Sequence, residues 1–355
     1  MAKKVIIHPG FPKSGTTALQ ASLMQAQKEL ANQGLHFAPP WNNAHHRAAW
    51  AITRYVFGWK SNGGESTPIS AWENLCDEIK NVKSDALITS EFLIKADPTT
   101  IQQIKRDLGQ VEIKIVFTLR PFAKLLPSRY QQSLKKGRTW TYDEWLKTIF
   151  AQSSSIGITD YAEILQNWVE VFGKENVSLI IADETNPEFL YRSFEQALGL
   201  AVETLKPAKI KRLNRSLTAS EVEILRQVNL RKPKKWKWKQ YNLFVRGKFV
   251  RNLSDKPSAF KEDPKLVLPS WAIEKLQPYA SSQISKIEKL GIDILGDPKS
   301  LHADTFAIDA NTNGFVPAAM AADLVIQLAA IPSVKDARTR DLVKEVFKRI
   351  KSRFK

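Results

Sequence analysis

Short runs of β-branched and aliphatic residues recur through the first half of the chain, each followed by a stretch with helical spacing. Val5-Ile6-Ile7-His8 is the first. It turns through Pro9-Gly10 into a hydroxyl-rich start and then a helical pattern over 16–32, with Leu19, Leu23, Ala26 and Leu30 on one face. Residues 34–38 predict a short strand stopped by Pro39-Pro40, and 69–81 a helix. Further strands are expected at 85–91, 112–118 and 177–182, with helices near 99–108, 122–135, 142–151, 160–172 and after Pro187. Continuously apolar strands alternating with helices predict an α/β fold with a parallel sheet covered on both faces.

In such sheets ligands lie beyond the carboxyl ends of the strands. His8 to Gly15, Ser90-Glu91 and Arg120 all fall there, so they are expected to share one crevice. The first of these stretches is a strand, a tight loop and a helix N-terminus, which aims backbone N–H groups and a positive dipole end at an anion. Gly10 and Gly15 have Walker A spacing, but Thr16 stands where that motif needs its lysine, and Lys13 lies inside the loop. No aspartate ends the second or third main strand as a Walker B residue would.

Pro12-Lys13-Ser14-Gly15-Thr16-Thr17 resembles the 5′-phosphosulfate loop of sulfotransferases that use 3′-phosphoadenylyl sulfate (PAPS) and release PAP. The resemblance spans roughly residues 5–230 and implies a P-loop-like parallel sheet flanked by helices. It implies that Lys13 touches the transferring group while Pro12, Ser14, Gly15, Thr16 and Thr17 cradle the 5′-phosphate. It also implies that Arg120 and Ser128, eight residues apart, hold the 3′-phosphate. A sulfuryl group carries less charge than a phosphoryl group, so lysine and arginine are expected to suffice without a metal, and no zinc-ligand spacing is present. The family uses a histidine or glutamate as base. Glu91, at a strand end, is the first candidate, His46 the second and His45 the third; His36 reads as structural. Phe11 before the loop, Ala18-Leu19 after it, and Asn214-Arg215-Ser216-Leu217 look more like bacterial glycan sulfotransferases than the aryl and steroid enzymes. The Lys-Thr-His of the latter is replaced by Thr89-Ser90-Glu91, and their Arg-Lys-Gly loop is missing. The expected acceptor is a hydroxyl of a carbohydrate or glycolipid.

Composition adds a second theme. The 355 residues carry 53 Lys+Arg against 36 Asp+Glu, a net charge of +17, which suits a multiply charged ligand or an anionic surface. Nine of those cations, and no acid, lie in residues 231–251 among Trp236, Trp238, Tyr241, Phe244 and Phe249. Its basic, aromatic composition also fits nucleic-acid stacking or an acidic glycan groove, but with Thr218-Ala219-Ser220-Glu221 opening a capped helix before it the segment predicts peripheral contact with anionic membranes. There Trp236, Trp238 and Phe244 would enter the interface and Lys234, Lys235, Lys237 and Lys239 would meet head groups. Residues 254–264 read as a linker, 271–290 as a helix and 293–313 as irregular. Two helices near 317–330 and 335–354 close the chain, the last with Val343, Phe347, Ile350 and Phe354 on one face. The expected organisation is a sulfotransferase-like domain over 1–300, its α/β core at 1–230, and a helical extension over 301–355. A single cysteine, Cys76, and no bilayer-length apolar run fit a cytoplasmic protein. Nucleic acid is not the expected partner. A P-loop kinase, and a basic membrane- or nucleic-acid-binding protein with an inactive loop, stand as alternatives.

Overall fold

The computed structural model describes residues 2–37, 44–151, 159–208, 215–255 and 264–302. Its centre is a six-stranded sheet in the order β2-β3-β1-β4-β5-β6. The strands are β1 (Lys4–His8), β2 (Leu35–Phe37), β3 (Asp85–Thr89), β4 (Glu112–Leu119), β5 (Val177–Ile181) and β6 (Asp293–Leu295). Every pairing is parallel. The apolar runs are unbroken because alternate side chains enter different cores. Val5, Ile7, Ile88, Ile115 and Phe117 face one layer; Ile6, Leu87, Val116 and Ile180 face the other.

The smaller layer holds α1 (Thr16–Gln25), α2 (Gln27–Asn32) and α9 (Pro187–Leu198). The larger layer holds α3 (Ala44–Ile52), α4 (Ser70–Asn81), α5 (Pro98–Leu108), α6 (Phe122–Lys135), α7 (Tyr142–Ala151) and α8 (Tyr161–Phe172). Later in the chain α10 (Ala219–Arg231), α11 (Trp238–Tyr241), α12 (Arg251–Ser254) and α13 (Ser270–Lys289) join the same layer. Trp238, Tyr241, Leu276 and Leu301 share its core with the strands, so the second half packs onto the sheet.

Four expectations need correction. The helix expected over 16–32 is broken at Ala26 into α1 and α2. The strand expected to reach Glu91 ends at Thr89, and Glu91 opens a 3₁₀ turn (Glu91–Lys95) capped by the Ser90 hydroxyl, which accepts from the Phe92 N–H. Residues 293–295 are not irregular; they are the edge strand β6. The aromatics assigned to a membrane interface are largely core: Trp236 is 8% exposed and Trp238 1%, while Phe244 is half-buried against Trp236. Exchanging that burial for a lipid interface would open the domain. The expected closing helices and Asn214 lie outside the described residues.

Candidate functional site

The loop from His8 to Gly15 leaves the central strand β1 and is shaped by left-handed backbone at three places. Gly10 (φ 41°) and Gly15 (φ 93°) adopt it without penalty. Lys13 (φ 69°) adopts it despite its long side chain, and strain of that kind collects at functional sites. A Cβ on Gly10 would lie 2.4 Å from Thr16 Cγ2 and 2.8 Å from His8 Nε2; one on Gly15 would lie 2.5 Å from Leu190 Cδ2. The loop is anchored to β4: the Phe11 N–H donates to the Thr118 carbonyl at 3.1 Å, and the buried Phe11 ring stacks on Phe117. Helix α1 starts at Thr16 with no side-chain cap and no acid in its first turn, which leaves its positive end for an outside anion.

Beneath the loop runs a buried chain of hydroxyls and one imidazole. Ser14 Oγ donates to the Phe11 carbonyl at 2.6 Å and contacts Thr118 Oγ1 at 2.7 Å. Thr118 Oγ1 contacts His8 Nε2 at 3.2 Å, and His8 Nδ1 contacts Thr89 Oγ1 at 2.9 Å. Counting donors assigns the protons: with the Ser14 proton spent on Phe11, Thr118 donates to Ser14, His8 donates from Nε2, and Thr89 donates to Nδ1. Burial holds His8 neutral, its pKa lowered to about 3. The carboxyl ends of β1, β3 and β4 are thereby tied to the loop. His8 was not singled out from the sequence, where one histidine after an apolar run carries no distinguishing signal.

The site candidates come together in part. Lys13, Glu91 and Arg120 are electrostatic neighbours. Burial lowers the Lys13 pKa, opposed by the Glu91 charge and assisted by Arg120. Burial raises that of Glu91, opposed by Lys13 and by the Thr16 hydroxyl, which donates to Glu91 Oε2 at 3.4 Å. Lys13 and Glu91 do not close to ion-pair distance. Arg120 donates from Nη1 to the Lys13 carbonyl at 3.2 Å, but its fork is held by Glu184, at 2.9 Å from Nε and 2.7 Å from Nη2. Glu184 was not expected; a pairing across 64 positions leaves no mark in sequence spacing. Ser128 is half-buried on α6, Pro12 is exposed on the loop and Thr17 is exposed in the first turn of α1.

The histidines separate by role. His45 is buried and its Nδ1 accepts from the Thr89 N–H at 3.1 Å; burial lowers its pKa to about 4. It serves β3 and has no free lone pair for a substrate proton. His46 Nδ1 bonds Ser90 Oγ at 2.8 Å, next to Glu91, and burial lowers its pKa. His36 pairs with Glu78 at 2.9 Å. Arg215 is forked to Glu221 (2.6 and 2.7 Å), which also accepts from the Thr218 N–H, so it braces the start of α10. The larger cavity described, about 600 Å³ and lined by Lys105, Gln110 and Glu112, lies at the amino end of β4, away from these groups. Among the described residues, no group of three or more His, Cys, Asp or Glu could hold a metal ion.

Residues 3–184 match the family model described as the sulfotransferase domain. The chain belongs to the sulfotransferase family. The chain is similar to the crystal structure of a sulfotransferase from Alicyclobacillus acidocaldarius at a TM-score of 0.48 and 16% identity, over 82% of this chain and 97% of that one. No curated protein matches it. The matched residues include the loop, Glu91, Arg120 and Glu184; the basic segment of the chain lies beyond them. Among its described residues, no helix is long and apolar enough to cross a membrane.

Proposed function

We propose that the chain moves a sulfuryl group from PAPS to a hydroxyl of a carbohydrate or glycolipid. The observation that carries this reading is the left-handed kink at Lys13, which sets one lysine beside Glu91 and Arg120 at the uncapped start of α1. These residues suit a donor with phosphates at two ends. The N–H groups of the first turn of α1 and the Thr16 and Thr17 hydroxyls would hold the 5′-phosphate. Arg120 and Ser128 would hold the 3′-phosphate once the Arg120 fork turns from Glu184.

When bound, PAPS would supply the sulfuryl group and leave as PAP. Lys13 would meet the negative charge that grows on the departing phosphate oxygen, an aimed charge of the kind that dominates many catalytic effects. Glu91 would take the acceptor's proton as the acceptor oxygen bonds to sulfur; burial, by raising its pKa, makes it a better base than a solvated carboxylate. His46 is the second candidate for that role.

Calorimetry separates the readings. PAP is expected to bind without metal and more tightly than ATP with Mg²⁺, which lacks a 3′-phosphate. Tighter, magnesium-dependent binding of ATP would favour a kinase. An oligonucleotide that binds while PAP does not would favour a basic binding protein.

A further inference from the structure

The donor reading uses Lys13 and Arg120, yet the same end of the sheet carries more positive charge than one donor explains. Lys135 is half-buried near the end of α6, and burial first, with the charges of Lys13 and Arg246 second, brings its pKa down to about 8. Lys136 senses Lys95 and Arg246. Arg246 arrives from the other half of the chain, on the π-helical stretch Asn242–Val250, a helix type that often marks functional sites. Among the described residues, none of Lys95, Lys135, Lys136 and Arg246 closes an ion pair with a carboxylate. The acid felt by Lys95 and by Lys13 is Glu91, the candidate base. Lys135 and Arg246 are half-buried and Lys95 and Lys136 exposed; crowded together with so little counter-charge, they repel one another unless an anion joins them.

These cations stand on an aromatic wall. Trp50 stacks on Phe57 at 5.0 Å and meets Phe92, the neighbour of Glu91, at 5.2 Å; Tyr55 meets Phe92 at 5.0 Å. Lys95 Nζ lies 5.3 Å from the centre of the Tyr55 ring, and Arg246 Cζ lies 5.1 Å from that of Phe57 and 5.2 Å from that of Trp238. Trp50, Tyr55, Phe57 and Phe92 are each half-buried, so the wall keeps some surface for a ligand. Cations held on ring faces are oriented without being neutralised. The wall starts at His46 and Glu91, where an acceptor hydroxyl would sit, and runs to Trp238.

Resting on the sulfotransfer reading, we propose that the acceptor is an anionic sugar, with a carboxylate, phosphate or sulfate near the hydroxyl to be modified. Lys95, Lys135, Lys136 and Arg246 bind its charge, and the Trp50–Tyr55–Phe57–Phe92 wall receives the apolar faces of its rings. A neutral sugar would leave the four cations uncompensated. A planar charged group without sugar rings would leave the wall unused.

Matched probes test this at low salt with saturating PAP. Tetragalacturonate, with one carboxylate per ring, is compared with its fully methyl-esterified form, and glucose 6-phosphate with glucose. A glutamate tetrapeptide supplies charge without a sugar. The expected result is at least tenfold tighter binding of an anionic sugar than of its neutral counterpart and of the peptide, with affinity falling as salt rises. Lys95→Gln, at an exposed position, and Arg246→Met, which keeps the aliphatic stem on the rings, should each weaken that binding about tenfold. PAP affinity should move less than twofold in both, and thermal melting shows that each variant is folded. Equal binding of charged and neutral partners overturns the proposal, as does equal binding of the peptide, or no loss in a folded Lys95→Gln. A wild-type chain that binds tetragalacturonate but not PAP would leave the anionic-sugar site standing and remove the donor reading instead.

Discussion

At the scale of the residue, Lys13 and Arg120 carry separable expectations. Lys13→Ala should lower kcat by about 10²-fold while changing PAP affinity far less, because its contact strengthens as the leaving oxygen gains charge; equal losses in both quantities would contradict that role. Arg120 is already occupied. Glu184 holds its fork in a partly exposed pair, so on the proposed reading PAP would have to displace a carboxylate worth about 0.2–1 kcal/mol. Glu184→Gln should therefore tighten PAP about two- to fivefold, and weaker binding would show that Glu184 positions the guanidinium. Activity should also depend on pH in a shifted window. As the proposed base Glu91 would work deprotonated, and its pKa is raised by burial, so the acid limb should lie above the usual 4.5; as the proposed partner of the leaving group Lys13 would work charged, and its pKa is lowered by burial, so the alkaline limb should fall below 10.5. Rate measurements from pH 4 to pH 11 at saturating donor check both limbs. Lys13 and Arg120 stood out in the sequence because each follows an apolar strand. Glu184 and Arg246 did not, because the chain alone does not tell which distant side chains meet.

At the scale of the element, the loop depends on space as much as on charge. Gly10→Ala would press a methyl group into Thr16 and His8 at a positive φ, and should cost about 1–3 kcal/mol in stability and weaken PAP. Chemical denaturation with parallel calorimetry reads both, and an unchanged midpoint would show that the loop has room to spare. The long strands were legible because burial on both faces leaves an uninterrupted apolar run, as in Val5-Ile6-Ile7. The edge strand β6 was not: its three residues are exposed or half-buried and pair only with β5, so no run or alternation announces them. The basic segment was misread for a different reason. Trp238, Tyr241 and Val245 recur at helical spacing and do enter the core, but the lysines around them made the stretch look like a surface. That spacing was the available signal.

For the whole molecule, buried histidines couple stability to acidity. His8 and His45 are held neutral with pKa values near 3 and 4 against 6.5 when solvated. Their folded pKa is depressed, so below pH 6.5 the unfolded chain binds protons that the native chain refuses, and stability falls with pH. The slope is about 1.4 kcal/mol per pH unit for each histidine, acting down to pH 4 for His45 and pH 3 for His8. Urea midpoints at pH 8, 6 and 5 should be level above the window and drop inside it; a flat response from pH 7 to pH 5 would refute the coupling. The free thiol of Cys76 adds nothing here, since burial first and nearby acids second push its pKa up to about 12. The order of strands has a consequence in time. β1 is synthesised first, yet its two neighbours are β3 and β4, and the Thr118 carbonyl that anchors the loop comes more than 100 residues later. Closing such long stretches of chain is slow and entropically costly. On the ribosome β1 must therefore wait for β3 and β4, and the loop that follows it cannot be anchored until Thr118 has been made.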